Sequence, residues 1–195
     1  MKVFGPIPSR RLGQSLGVNN IPPKACPYSC VYCQIGRTDK MQIKRQEFFD
    51  PEVIFNQVKS KINQLKSSNK NIDYISFVPD GEPTLDKNLG KTIDLLKQFG
   101  IKIAVITNAS LLWMDDVKSN LMKADWVSVN VDAMDENAWH KIDRPHGGLN
   151  FQQMIDGIIE FSKSFKGYLA TETMLVEGIN DRESDSKLLG QKLDI

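Results

Sequence analysis

Residues 26–33 read Cys-Pro-Tyr-Ser-Cys-Val-Tyr-Cys and hold all three cysteines of the 195-residue chain. Pro22 and Pro23 come shortly before this stretch and predict that it lies in a proline-rich loop. A stiffened loop reduces the entropy cost of bringing three thiolates to one soft metal centre. An ordinary four-iron cluster takes four thiolates, so a site with three leaves one iron with an open coordination position. The stretch therefore favours a reactive iron–sulfur centre.

Two other uses of these cysteines are open. A disulfide framework would leave one thiol over, and the first residues lack the apolar run of a signal peptide. A structural zinc site needs a fourth ligand, and the only histidines, His140 and His146, lie more than a hundred residues away. A metal-binding regulatory module with zinc and no catalysis therefore stays as the alternative to an enzyme.

Composition limits the setting in which the chain works. With 41% hydrophobic residues it can bury one core, which predicts a single domain over residues 1–195. Its net charge of +1 gives no global argument for binding nucleic acid or a membrane, and no segment reaches the roughly 20 apolar residues of a membrane span. We expect a reducing, cytoplasmic setting. RNA binding would have to use a local patch, for which the candidates are Arg10, Arg11, Arg37, Lys44 and Arg45.

Beyond the cysteines, predicted strands alternate with predicted helices. The strands are expected at 15–19, 73–78, 102–107, 126–132 and 168–176. The helices are expected at 51–66, 86–98, 115–123, 151–164 and 183–193. Asp50 and Pro51 mark the start of the first helix, and Gly100 marks the end of the second. This alternation is typical of βαβ units in a parallel sheet, and a closed eight-unit barrel takes about 250 residues. We therefore predict an α/β fold, an open, partial parallel βα barrel of about five to six units.

Polar residues come at the carboxyl ends of these strands, where parallel sheets bind ligands. Along residues 127–132, three valines alternate with Ser128, Asn130 and Asp132. A polar inner face indicates a wet or ligand-filled cavity, and the alternative is an edge strand that faces solvent. Glu172 interrupts the fifth strand, either as the partner of a buried Lys or Arg or as part of the cavity.

The spacing Cys-x3-Cys-x2-Cys, with Tyr32 before the last cysteine, resembles the signature of the radical S-adenosylmethionine (SAM) superfamily. The resemblance implies that Cys26, Cys30 and Cys33 hold three irons of a 4Fe–4S cluster, whose fourth iron chelates the amino and carboxylate groups of SAM. It implies an enzyme that cleaves SAM reductively to a 5′-deoxyadenosyl radical, which abstracts hydrogen from a substrate. A reductant such as flavodoxin or ferredoxin is implied as a partner.

The resemblance also assigns SAM contacts at two strand ends. Gly81 and Glu82 stand where a Gly-Gly-Glu segment contacts the methionine amino group, and Asp80 departs from that pattern. Asn108 lies near a polar contact after the third strand. A carboxylate and exposed backbone oxygens are suitable partners for an ammonium group.

Three further SAM contacts are assigned in the same way. Asn130 and Asp132 fall near the fourth-strand position that resembles the ribose site. Arg144 lies in the run 140–145, which is similar to a segment where an Arg reaches the SAM carboxylate. A plain surface arginine is the alternative for Arg144.

A narrower resemblance concerns two flanking stretches. Residues 6–13, Pro-Ile-Pro-Ser-Arg-Arg-Leu-Gly, and residues 34–38, Gln-Ile-Gly-Arg-Thr, are similar to a branch of iron–sulfur oxidoreductases grouped with wyosine-type tRNA-modifying enzymes. A tRNA base is therefore one candidate substrate, beside a peptide or a small molecule. A six-unit partial barrel would need a sixth strand, so either the core closes with five strands or the chain is truncated before the sixth.

Overall fold

The computed structural model describes residues 2–184, 187 and 190. Its strands and helices in chain order are β1 (Val3–Ser9), β2 (Gly13–Val18), β3 (Ala25–Cys26), β4 (Lys40–Met41), α1 (Pro51–Ser67), β5 (Tyr74–Phe77), α2 (Leu89–Leu96), β6 (Lys102–Thr107), α3 (Asp115–Leu121), β7 (Trp126–Asn130), α4 (Glu136–Ile142), α5 (Phe151–Ser164) and β8 (Tyr168–Glu172). Short 3-10 turns at Pro83–Leu85 and Lys97–Phe99 flank α2. Within the described residues, no helix is both long and apolar enough to cross a membrane.

Six strands form one sheet in the order β1-β2-β5-β6-β7-β8. The strands from β2 to β8 in this order run parallel, whereas β1 pairs with β2 in the antiparallel sense. The two-residue strands β3 and β4 pair separately and carry Cys26. The predicted α/β class, with an open and mostly parallel βα arrangement, is confirmed.

The helices bury apolar stripes against one face of this sheet. Asp50 caps α1 as predicted, since its side chain accepts a hydrogen bond from the Glu52 amide at 3.0 Å, and Pro51 occupies the first turn. The buried residues of α1 recur at helical spacing and are Ile54, Val58, Ile62 and Leu65. Gly100 closes the region of α2 in the left-handed conformation with φ 68°, also as predicted.

The opposite face of the sheet combines small and polar side chains with a smaller apolar cluster formed by Leu12, Ala104 and Trp126. In register across the strands, Gly17 pairs with Ser76 and Ser76 with Ala104, while Ser128 pairs with Ala170. Because β7 lies between β6 and β8, the suggestion that its polar residues belong to an edge strand is wrong. Ser128 is completely buried on this face.

Three strands, β1, β3 and β4, and one helix, α4, were not predicted. Only a strand at 15–19 was expected in the first 25 residues, but β1 also forms and pairs with β2. Pro6 and Pro8 argue against a strand at the sequence level, so β1 was missed. The sheet tolerates them because β1 is an edge strand. The helix α4 has seven residues, too few to give a clear periodic pattern.

Several predicted boundaries are also wrong. The first predicted strand is Gly13–Val18 rather than 15–19, and the second loses one residue at each end. The fourth strand ends at Asn130 rather than at 132, and the fifth ends at Glu172 rather than at 176. The second helix is Leu89–Leu96 rather than 86–98, and the third ends at Leu121 rather than at 123. The chain leaves β8 early because the Met174 amide donates to the Asp132 carboxylate at 2.7 Å. Most of the helix expected at 183–193 lies outside the described residues.

Candidate functional site

The cysteine loop is fastened to the segment that follows α4. The backbone amides of Ser29 and Val31 donate to the carbonyl oxygens of Asp143 and Ile142 at 2.9 and 2.8 Å. The His146 amide donates to the Pro27 carbonyl oxygen of the loop at 2.8 Å. A segment far away in sequence thus fixes the backbone that carries the thiols.

Tyr28 anchors the same loop to two helices. Its hydroxyl accepts a hydrogen bond from Trp139 Nε1 of α4 at 3.0 Å and donates to Met154 Sδ of α5 at 3.2 Å. The Tyr28 carbonyl oxygen also accepts from the Thr38 hydroxyl at 2.5 Å. Burial raises the pKa of the Tyr28 hydroxyl well above its usual range, so it stays a neutral donor.

Cys26 lies at the carboxyl ends of the parallel strands. Its sulfur accepts hydrogen bonds from Asn108 Nδ2 at 3.3 Å and from the Tyr28 amide at 3.4 Å. Burial and the nearby Glu82 carboxylate raise the pKa of the Cys26 thiol to about 12. A metal bound here must therefore displace a proton from the sulfur.

Cys30 and Cys33 lie on a tight turn of the loop. The Cys30 thiol donates to Asp143 Oδ1 at 3.2 Å, and burial together with Asp143 raises the pKa of that thiol. The Cys33 amide donates to the Cys30 carbonyl oxygen at 3.2 Å, and Gly36 closes the next turn with φ 78°. Cys30 and Cys33 line an open cleft of about 610 Å³.

The three thiols suit an iron–sulfur cluster better than a single ion. No three His, Cys, Asp or Glu side chains within the described ranges lie close enough together to hold one metal ion. Cys26 nevertheless interacts electrostatically with both Cys30 and Cys33. A cluster bonds each thiolate to a different iron, so its ligands surround it instead of meeting at a point. Three neighbouring thiols, two of which line a cleft, fit that requirement.

Glu82 joins the ends of β5 and β6. The residue is 1% exposed, and its carboxylate accepts hydrogen bonds from the Thr84 and Thr107 hydroxyls at 2.6 Å and from the Asn108 amide at 2.8 Å. Burial raises the pKa of Glu82, and these hydrogen bonds oppose the shift. The predicted site residues Glu82 and Asn108 are therefore in direct contact.

Gly81 lets the cysteine loop approach this strand end. A Cβ at Gly81 would clash with the carbonyl oxygen of Ala25. The Glu82 amide donates to that same oxygen at 3.0 Å, and the Lys24 amide donates to the Asp80 carbonyl oxygen at 2.6 Å. The two backbones therefore run against each other, and only glycine fits at position 81.

Asp132 is the centre of a second group of site residues. Its carboxylate accepts hydrogen bonds from the Tyr32 hydroxyl and from the Met174 amide, the latter at 2.7 Å. The Asp132 carbonyl oxygen accepts from Asn180 Nδ2 at 2.7 Å. Asn130 lies two residues earlier, and its Oδ1 is buried with no hydrogen-bond partner in the described part of the chain.

Two members of the site were not predicted from the sequence. Asp143 is buried against Cys30, and burial together with the neighbouring Asp132 raises the pKa of Asp143 well above its usual range. Asn180 ties the loop after β8 to Asp132. The sequence signal for Asp143 is its place beside Arg144 in the run 140–145, whereas Asn180 is only one of several polar residues in the run 177–181 after the fifth strand.

Arg144 and Glu172 lie apart from the Cys26 contacts. Arg144 is exposed, has φ 46°, and lines the cleft with Cys30 and Cys33. Glu172 accepts a hydrogen bond from the Ser128 hydroxyl at 2.6 Å and forms an ion pair with Arg11. One of the two expectations for Glu172 was that it pairs with a buried Lys or Arg. It does pair with an arginine, but the Arg11 side chain is 53% exposed.

Comparisons with known proteins agree with this geometry. The model of the Radical SAM superfamily matches residues 20–187. A UPF0026 protein of Methanocaldococcus jannaschii is 51% identical over 92% of this chain, which covers 56% of that protein. A UPF0026 protein of Helicobacter pylori is 34% identical over 96% of this chain, which covers 60% of that protein.

A solved structure shares the fold at much lower sequence identity. The structure of TYW1 with a lysine-pyruvate adduct bound is 17% identical, with a TM-score of 0.67, over 93% of this chain and 62% of that one. The match of the family model confirms the resemblance to the radical SAM superfamily, and this solved structure shares the fold. The chain spans a little over half the length of the two UPF0026 relatives.

Proposed function

Because the chain belongs to the radical SAM superfamily, we propose that it is an enzyme core in which Cys26, Cys30 and Cys33 hold a 4Fe–4S cluster that binds SAM. When bound, the cluster supplies the electron that cleaves SAM to methionine and a 5′-deoxyadenosyl radical. One observation supports the proposal most strongly. The Cys26 sulfur accepts a hydrogen bond from Asn108, which follows β6 at the carboxyl edge of the sheet.

The residues of the strand ends have separate proposed roles. Gly81 brings backbone close to the cluster loop, where its carbonyl oxygen can accept from the methionine ammonium of SAM. Glu82 fixes this segment through its hydrogen bonds, and its negative charge favours the same ammonium. Asn108 holds the Cys26 sulfur in position.

The remaining contacts orient the rest of SAM. The buried, unpartnered Oδ1 of Asn130 supports a hydrogen bond from a ribose hydroxyl, because such an atom costs free energy while it has no donor. Asp132 is proposed to act beside it, held in place by Tyr32. Arg144 is proposed to reach the SAM carboxylate from the cleft beside Cys30.

The substrate is proposed to be an organic molecule that loses hydrogen to the 5′-deoxyadenosyl radical. A tRNA base is one candidate, supported by the fold shared with TYW1 and by the sequence resemblance at residues 6–13. The cytoplasmic setting belongs to the same proposal, because thiolates persist in reducing compartments. A one-electron reductant is required as a partner.

The proposed function is tested by electron paramagnetic resonance on anaerobically reconstituted, dithionite-reduced protein, with and without SAM. We expect a cluster signal that changes when SAM is added, and no such signal in the Cys26→Ser variant. If wild-type protein forms no cluster and takes up one zinc ion instead, the enzyme proposal is wrong and the zinc-module alternative replaces it.

The RNA substrate is tested separately by measuring the affinity for tRNA at several salt concentrations. Phosphate contacts predict that the affinity falls steeply as salt rises. A weak salt dependence, or no measurable binding, would favour a peptide or a small molecule.

A further inference from the structure

The cysteine loop borders two different environments. Cys26 lies against Asn108 and Glu82 at the strand ends. Cys30 and Cys33 instead line the open cleft, and neither Asn108 nor Glu82 takes part in lining it. A cluster held by the three thiols would therefore have one side toward the strand ends and another toward the cleft.

The rim of this cleft combines positive charge with exposed apolar side chains. Arg37 and Arg144 line it, and neither forms an ion pair within the described ranges. Val31 and Met41 also line it and are 42% and 39% exposed. Its described lining residues include no carboxylate, and the nearby Asp39 pairs with Lys24 at 3.6 Å.

We propose that the part of this cleft lined by Cys30, Val31, Cys33, Arg37 and Met41 is the docking surface for a small acidic electron-carrier protein that reduces the cluster, while Arg144 at its border keeps the role toward SAM proposed above. The inference rests on the proposed function, since it presupposes the cluster. One electron leaves the reduced carrier and enters the oxidised cluster, so the carrier is oxidised by one electron and the cluster is reduced by one. No covalent bond forms or breaks in this step.

Three features of the cleft suit such a partner. Electron-transfer partners form small, short-lived interfaces that bury less than about 1,200 Å². A positive rim attracts an acidic carrier and raises the rate of encounter, while exposed apolar residues stabilise the docked pair without making it permanent. Two of the proposed cluster ligands, Cys30 and Cys33, line the cleft, so a docked carrier comes next to the cluster without entering the strand-end side.

The closing experiment measures how fast reduced flavodoxin reduces the reconstituted protein in an anaerobic stopped-flow instrument. For Arg37→Glu we expect the second-order rate constant to fall about tenfold at low salt, because the reversed charge repels the acidic carrier. Reduction by dithionite and the response of the cluster signal to SAM should not change. Arg10→Glu is the matched control, since Arg10 is also exposed but lies in the turn between β1 and β2. Its rate constant should stay within about twofold of wild type.

A second variant and a binding measurement complete the test. Met41→Glu places a negative charge on the exposed rim, and it should slow flavodoxin and weaken its binding to the reconstituted protein, as measured by biolayer interferometry. If neither Arg37→Glu nor Met41→Glu alters the flavodoxin rate or affinity while dithionite reduces the cluster normally, the docking surface is wrong and the proposed function stands. If dithionite reveals no cluster in the wild-type protein, both proposals are wrong.

Discussion

Single residues set how closely the cysteine loop approaches the sheet. Gly81 is one of them, because a side chain there would meet the Ala25 carbonyl oxygen, a backbone atom that cannot move away alone. Gly147 is its counterpart in a loop, where a Cβ would have no atom within 4 Å. The same substitution at these two glycines separates the loss of close approach from the general effect of replacing glycine.

We expect Gly81→Ala to lower the free energy of unfolding by about 1–3 kcal/mol, because the new methyl group overpacks the contact between loop and strand. Gly147→Ala should change it by less than about 0.5 kcal/mol. Urea denaturation of the cluster-free proteins measures both. Equal effects of the two substitutions would show that the close contact between Gly81 and the cysteine loop does not exclude a side chain.

Asp86 gives a pH-dependent prediction. The residue is fully buried, and burial raises the pKa of its carboxyl from 3.8 to about 6, although the Asn88 amide and Asn20 Nδ2 donate to it. The stability that its protonated form confers is complete below pH 3.8 and is lost as the pH rises through 6. Two pKa units correspond to about 3 kcal/mol.

The Asp86→Asn variant lacks this titration. The unfolding free energy of wild type should therefore fall relative to that of Asp86→Asn as the pH rises from about 4 to 7. The difference between the two proteins should change by an amount of order 3 kcal/mol. Urea denaturation of both proteins at several pH values gives the difference, in which other acidic groups cancel. A difference that stays constant with pH would contradict the assignment.

At the scale of elements, the cysteine loop depends on helices that are far away in sequence. Tyr28 connects it to α4 through Trp139 Nε1 and to α5 through Met154 Sδ. These contacts are buried, so each donor that loses its acceptor carries a desolvation cost. The loop conformation is therefore coupled to the packing of two helices.

A double-mutant cycle tests this coupling. Tyr28→Phe should lower the free energy of unfolding by about 1–3 kcal/mol, because Trp139 Nε1 is left buried without an acceptor. In a Trp139→Phe background, the same substitution should cost less, since that donor is already gone. Urea denaturation of the four proteins measures the interaction. Additive effects would mean that the hydrogen bond does not link the loop to α4.

The elements with strong local signals were the ones that the sequence predicted. For α1, Asp50 and the regular apolar spacing fixed the type and the start, and β6 was found with both ends correct. By contrast, α4 is short, although Asp135 caps it by accepting from the Ala138 amide at 2.9 Å. Local patterns reveal long elements, and short ones depend on what they pack against.

At the scale of the whole molecule, parallel strands explain which site residues could be predicted. Gly81, Asn108 and Asp132 follow different strands, and a parallel sheet brings strand ends to one edge whatever the loops do. Asp143 and Asn180 could not be found in this way. Their roles depend on how long segments fold back over the edge, and that is decided by tertiary packing rather than by local pattern.

The order of the sheet predicts unequal protection of its backbone amides. The central strand β6 is paired on both sides, and Ile103, Ala104 and Val105 in it are fully buried. Within the described residues, β8 pairs only with β7 and contains no buried residue. Hydrogen exchange should therefore be at least about tenfold slower in β6 than in β8, after correction for intrinsic rates. Similar protection of the two strands would contradict this sheet order.

The antiparallel start of the sheet has a consequence for the order of folding events. Only residues 10–12 lie between β1 and β2, so this hairpin can close as soon as both strands have been synthesised. The parallel neighbour of β2 is β5, which comes much later in the chain. The Gln14 amide at the start of β2, for example, donates to the carboxylate of Asp73, 59 residues away. Short loops close at a lower entropy cost than long ones, and distant pairings form slowly. The nascent hairpin thus covers one edge of β2 with β1, and it leaves the other edge as the template on which the rest of the sheet assembles.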